Sequence, residues 1–268
     1  MRGDVADLAL AGTLFAPRYA RALLRRCLRP AVPVRDAAGD SAQAVSELLA
    51  GEAFAVIDIS GDWAWGYCVH DHYVGHVPLA ALGEGATPTH RVVRPAALVH
   101  AAPDFRAPAV ARLSLGAAVA AEGDGPWLAV DGGYMVAAHL ATAGARVADP
   151  VVLAESLIGL PYLWGGRGGD GIDCSGLVQL VHGLAGHTLP RDSDMQQQAA
   201  GALLAPGTAP VRGDLIFFPG HVGIMADAAR IIHASRAAMA VVAEPLAAVT
   251  AAFAADHATP IVAHRRIA

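Results

Sequence analysis

Three landmarks recur in the same order within the first half of the chain, and their recurrence excludes one continuous fold. Gly51-Glu52-Ala53, Gly61-Asp62-Trp63 and Tyr73-Val74 return as Gly116-Ala117-Ala118, Gly125-Pro126-Trp127 and Tyr134-Met135, at an offset that drifts only from 65 to 61 residues. Each copy carries a strand, a glycine-marked turn, a tryptophan strand and a tyrosine-led strand, which reads as a small β-barrel of roughly 50 residues. The copies span residues 31–82 and 90–143. Before them, residues 1–30 are expected to form a helical lead-in, because Leu8, Leu10, Leu14, Leu23, Leu24 and Leu28 recur among arginines until Arg29-Pro30 stops the pattern.

Composition narrows the partners. Of the 268 residues, 54% are hydrophobic and 16% charged, so the chain can bury a substantial core and is not disordered. The formal charge is −5, all 19 basic residues are arginine and none forms a run longer than a pair, which argues against nucleic acid as a partner. No window offers about 20 apolar residues free of charge, so no membrane span is expected. Asp4 and Asp7 interrupt the amino terminus after Arg2, and Pro17-Arg18 ends a short apolar stretch, so no secretory signal is read. Cys27, Cys68 and Cys174 are an odd set without CxxC spacing, which fits a reducing, cytoplasmic setting better than a disulfide framework or a structural zinc site.

The second half, residues 151–268, changes texture to a glycine-rich loop, a helix, a polar segment and several strands, an α+β order. Asp173 stands where an N-cap belongs, and Leu177, Val178, Leu180, Val181 and Leu184 follow at helical spacing, so Cys174 falls in the first turn of a buried helix. Amide dipoles there favour a thiolate, and a nearby imidazolium would lower the thiol further. Asp173 opposes that effect, which makes a histidine partner necessary. His221-Val222-Gly223-Ile224-Met225 and Arg230-Ile231-Ile232-His233-Ala234-Ser235 read as adjacent strands. A turn centred on Asp227 sets His221 directly opposite His233, with Cβ atoms ~4.5 to 5.5 Å apart. Nucleophile, base and orienter then form a triad. A metal held by Cys174, His221 and His233 is the competing reading, but no CxxC or HxxxH pair accompanies it, and neither metal nor cofactor is expected. Cys27, Cys68 and the other ten histidines are assigned to packing or surface.

Five ordered blocks carry a resemblance: Pro161-Tyr162-Leu163-Trp164-Gly165-Gly166, Asp173-Cys174-Ser175-Gly176, Pro190-Arg191-Asp192-Ser193, Gly213 to Phe218, and His221-Val222-Gly223-Ile224 followed by His233-Ala234. This half resembles the NlpC/P60 cysteine peptidases of bacterial cell-wall metabolism, a branch of the papain-like fold. The whole chain then resembles γ-D-glutamyl-L-diamino acid endopeptidases, in which two bacterial SH3-like barrels precede the α+β catalytic domain. The resemblance implies Cys174 as nucleophile, His221 as general base then acid, and His233 as the polar third member. It also implies that Tyr162 reaches the oxyanion region, that Asp173 and Ser175 hold the substrate's α-ammonium, and that Asp192 and Ser193 line the diamino acid pocket. Tyr73 and Glu52 of the first barrel would close one end of the groove. The implied substrate is the murein peptide L-Ala-γ-D-Glu-diamino acid, cut after D-Glu. A thiol-dependent acyltransferase or amidase, and a wall-peptide binding module with a degenerate catalytic half, are the alternatives.

Overall fold

The computed structural model describes residues 3–267 and divides into two compact units at Gly144 and Ala145. Met1, Arg2 and Ala268, the outermost residues of the expected lead-in and carboxy-terminal domain, lie outside the described residues.

The amino-terminal unit is built of β-strands in several sheets. In the first barrel seven strands run in the order Ala44–Leu49, Ala31–Arg35, Val74–Pro78, Trp63–Cys68, Ala53–Ser60, Leu23–Cys27, Leu82–Gly83. Alternation sends Val32, Val34, Leu48, Phe54, Val56, Ala64 and Val77 into one core. The second barrel pairs a five-stranded sheet containing Ala96–His100, Trp127–Val130 and Gly133–Val136 with a three-stranded one, around Val92, Val99, Leu113 and Met135. The two barrels meet within this unit where the Ala118 amide donates to the Ala50 carbonyl at 2.8 Å. A Cβ on Gly51 would stand 2.1 Å from the Ala118 oxygen, so only glycine fits there, and its φ of +71° suits glycine as well.

The helical lead-in does not form. Residues 3–30 contain the strands Val5–Asp7, Arg18–Ala20 and Leu23–Cys27 and a single 3-10 turn at Leu8–Leu10. Gly12 adopts φ +89° and Pro17 lacks a backbone donor, so the leucine period is broken twice. Leu8, Leu10, Leu14, Leu23, Leu24 and Leu28 remain exposed and offer no apolar face for a helix to bury. The Leu23–Cys27 backbone instead pairs with Ala53–Val56 on one side and Leu82–Gly83 on the other, extending the first barrel below residue 31.

The carboxy-terminal unit is α+β. Helix α1 (Pro150–Ser156) starts on Asp149, whose side chain accepts from the Val151 amide at 2.9 Å. Helix α2 (Cys174–Leu184) follows the glycine-rich loop, then α3 (Ser193–Ala199) and α4 (Leu246–Ala254). Six antiparallel strands form one sheet in the order Ala202–Leu203, Ala263–Arg266, Leu215–Phe218, His221–Met225, Arg230–Ser235, Ala240–Pro245. The central strands Leu215–Phe218 and His221–Met225 are buried at every residue, as strands covered on both faces must be. One face packs Ile216, Phe218, Met225 and Ile231 on Val249 of α4. Helix α2 packs on the His221–Met225 strand and is buried at ten of its eleven residues. No helix among the described residues is long and apolar enough to cross a membrane, and none of the three cysteines is in a disulfide.

Candidate active site

The setting of Cys174 is built from its neighbours in sequence. Asp173 caps α2 as expected: its Oδ1 accepts from the Gly176 amide at 2.7 Å, leaving Cys174 as the first helical residue. The backbone amides of Val222 and Ser175 lie close enough to the sulfur to favour its charged form. The Val222 amide places the sulfur against the very start of the His221 strand. Tyr162 also stands beside it, since burial and then the charges of Cys174 and Asp173 push its phenol up to about 12.

The two histidines do meet, though not in the expected register. Ile224 lies opposite Ile232 and Met225 opposite Ile231, two residues along from a turn centred on Asp227. Asp227 is the first residue of the turn, because its Oδ1 accepts from the amides of both Ala229 and Arg230 at 2.9 Å. A shift of two keeps every side chain on its face, so the histidines become diagonal neighbours. Their rings cross at 79° with centroids 5.0 Å apart, and His221 Nε2 lies 2.8 Å from His233 Nδ1.

A fourth group completes the chain. His233 Nε2 is 2.8 Å from Glu244 Oε2. Since a carboxylate only accepts, His233 must donate through Nε2 and accept at Nδ1, so His221 donates through its own Nε2. The lone pair of His221 is thereby fixed on Nδ1, which is buried and has no hydrogen-bond partner. That nitrogen is free to accept a proton. Phe253 of α4 stacks on the same ring at 5.6 Å and 21°, holding its plane.

Electrostatics correct one expectation. Burial holds His221 far below its ordinary value, at about 3, with His233 and Arg236 adding to the effect. Burial also pushes the Cys174 thiol up to about 11, aided by Asp173 and opposed by the Val222 and Ser175 amides and by Arg191. Both shifts favour the uncharged forms, whereas the helix position by itself favours a thiolate. A thiol on a residue only 7% exposed loses more in leaving water than the helix terminus returns.

Asp173 has a partner that changes its role. Arg191, 2% exposed, donates to Asp173 Oδ1 at 2.9 Å and to Oδ2 at 2.6 Å, and reaches Ser175 Oγ at 2.9 Å. Oδ2 also accepts from the Gly165 amide at 2.9 Å. Asp173 and Ser175 are thus already engaged with a guanidinium where a substrate ammonium was expected. Asp192 is the N-cap of α3 and Ser193 its first residue, both half-buried. Neither lines the cleft of about 440 Å³ beside His221 and His233, whose walls include Arg236, Glu244, Phe253, Asp256 and His257. Glu52 and Tyr73 belong to the amino-terminal unit, where Glu52 Oε2 accepts from the Leu49 amide at 2.9 Å.

Residues 159–254 match the NlpC/P60 family, and residues 34–82 match the bacterial dipeptidyl-peptidase Sh3 domain. The carboxy-terminal unit is an NlpC/P60 domain. The chain thereby joins SH3-like barrels to a domain from a family of cysteine peptidases. A gamma-DL-glutamyl hydrolase of Bacillus subtilis is 43% identical over 115 residues, which cover 39% of this chain and 27% of that protein. A gamma-D-glutamyl-L-lysine dipeptidyl-peptidase of the same organism is 33% identical over 96 residues, covering 33% of this chain and 32% of its own. The chain therefore spans about a third or less of these relatives. The crystal structure of an NlpC/P60 family protein from Bacillus cereus superimposes with a TM-score of 0.76 at 20% identity, over 91% of this chain and 99% of that one, a likeness of fold.

Glu244 escapes a reading of the sequence that stops at two strands. Extending the hairpin logic to Ala240–Pro245 finds it, because Ile231 faces Glu244 and the carboxylate becomes the diagonal neighbour of His233. Glu244→Ala removes the acceptor that selects the tautomer, so part of the population would present an N–H to the sulfur where a lone pair is needed. Because Glu244 is 44% exposed, we expect kcat to fall by about tenfold with little change in KM. Glu244→Gln, which keeps an acceptor, should lose less. A steady-state kinetic comparison of the two variants checks this.

Proposed function

We propose that the carboxy-terminal unit is a cysteine endopeptidase that hydrolyses the bond between γ-D-Glu and the diamino acid in murein-derived peptides. The observation that carries this reading is the unpartnered, buried Nδ1 of His221, set by the His233 and Glu244 chain beside the strand whose Val222 amide lies close to the Cys174 sulfur.

That geometry supports the following sequence of steps. As Cys174 Sγ attacks the γ-carbonyl carbon of D-Glu, its proton passes to His221 Nδ1, and the imidazolium is steadied through His233 by Glu244. The carbonyl oxygen gains the negative charge, with Tyr162 placed to meet it. His221 then gives the proton to the departing amine of the diamino acid, leaving a thioester on Cys174. Water, deprotonated by His221, attacks the thioester, and the thiol and the γ-D-glutamyl acid are restored.

Arg236, Glu244 and Asp256 give the neighbouring cleft charges of both signs, which suits a diamino acid bearing ammonium and carboxylate groups. The printed name of one relative, a γ-D-glutamyl-L-lysine dipeptidyl-peptidase, supports the same bond, and that of another, a γ-DL-glutamyl hydrolase, supports cleavage at a γ-glutamyl group. Three cysteines outside any disulfide support a reducing, cytoplasmic setting.

A requirement for a free L-Ala amine is the finer part of the proposal, and it must be met without an unpaired Asp173. L-Ala-γ-D-Glu-diaminopimelate and its N-acetyl form should differ by at least about 100-fold in kcat/KM, the loss incurred when a site built for a charged donor is given a blocked one. Equal rates would sink the amine requirement. Failure to cut either peptide would sink the substrate assignment.

A further inference from the structure

The first barrel holds a second cluster of chemistry-bearing side chains that the proposed hydrolysis does not use. Where the strand Trp63–Cys68 turns toward Val74–Pro78, Cys68, His70 and Asp71 bring a sulfur, an imidazole nitrogen and a carboxylate oxygen within 4.8 Å of one another. Both ring nitrogens of His70 are shielded from water, and neither makes a hydrogen bond. Such orphaned polar atoms are costly and call for a partner.

The spacing indicates which partner. His70 Nε2 lies 3.2 Å from Asp71 Oδ2, yet the two are not aligned as donor and acceptor. Nitrogen and oxygen ligands bound at about 2.0 to 2.1 Å to one tetrahedral ion stand about 3.3 Å apart. The other ring nitrogen, Nδ1, faces Glu52 Oε1 at 4.0 Å, and a carboxylate is the group that the second nitrogen of a metal-bound histidine commonly meets. The backbone is wound to produce this cluster. His72 takes a left-handed φ of 60° and donates to the Cys68 carbonyl at 2.8 Å, while Asp71 Oδ1 accepts from the Tyr73 amide at 2.9 Å.

We propose that Cys68, His70 and Asp71 bind one zinc ion, with Glu52 orienting His70 and water as the fourth ligand. A thiolate beside imidazole and carboxylate favours zinc over calcium or magnesium. Binding displaces the Cys68 proton to solvent and leaves the sulfur as thiolate. The ion would staple the turn that carries Tyr73, so the site is structural and independent of the hydrolytic reading.

The test uses the full chain carrying Cys174→Ala, which removes the other thiol beside imidazoles. The protein is stripped with a chelator, then titrated with zinc and separately with cobalt(II). We expect about one equivalent of zinc per chain and a thiolate-to-cobalt charge-transfer band. His70→Ala and Asp71→Ala should each weaken zinc by more than about 100-fold, and Glu52→Gln by about tenfold. His70 and Asp71 lie outside the barrel's apolar core, and circular dichroism is used to check that their variants remain folded; if either fails to fold, the Glu52→Gln titration alone decides. Stripped protein that takes up no zinc, a cobalt complex without the sulfur band, or affinities unchanged in the variants would each overturn the proposal.

Discussion

Cys174→Ala is expected to lower kcat/KM on a γ-D-glutamyl-diamino acid peptide by at least about 10⁴-fold, and His221→Ala by a similar factor, with the double variant losing little more. Nucleophile and base act as one unit, so removing either removes the covalent route. The burial of both groups adds a chemical signature. Because burial holds Cys174 up at about 11 and His221 down at about 3, the free enzyme carries little thiolate at neutral pH. Its alkylation by iodoacetamide should therefore rise about tenfold per pH unit between pH 7 and 9. A rate already at its plateau at pH 6 would mean that a thiolate and imidazolium pair forms without substrate.

Arg191→Met is expected to destabilise the domain by about 3 to 5 kcal/mol, because it leaves the Asp173 carboxylate buried and without its countercharge. The pair is deeply enclosed, with Arg191 2% and Asp173 5% exposed. Asp173→Asn alone should also destabilise, by stranding the guanidinium. The double variant should recover much of the loss, since no uncompensated charge then remains, and urea unfolding of the three proteins measures this coupling. The same cycle has a catalytic reading. An unpaired Asp173 raises the Cys174 thiol further, so Arg191→Met should shift the alkylation profile to higher pH.

The place of Cys174 at the first turn of a capped helix was readable in the sequence because its determinants are local: an N-cap carboxylate, a glycine-rich approach and the helical period that follows. The pairing of His221 with His233 was readable because a β-strand repeats every two residues, and an error of two in register leaves the face unchanged. Asp227 produced that error. Its side chain captures two amides, and this moves the centre of the turn. Arg191 and Glu244 were not readable as partners. Arg191 meets Asp173 across 18 residues, and Glu244 depends on the alignment of a third strand, so both contacts are set by tertiary packing. A buried N-cap carboxylate beside a nucleophile could still have prompted a search for a cation. The amino-terminal segment misled for the opposite reason, since its leucines keep a helical spacing but remain in solvent. Periodicity without burial does not specify a helix.

The account rests on Cys174 as a covalent nucleophile, and acid quenching during a single turnover of L-Ala-γ-D-Glu-diaminopimelate, followed by peptide mass analysis, tests it most directly. We predict an L-alanyl-γ-D-glutamyl adduct on the peptide containing Cys174, absent from Cys174→Ala. Complete cleavage with no adduct at any quench time, or an adduct that persists in the alanine variant, would contradict it.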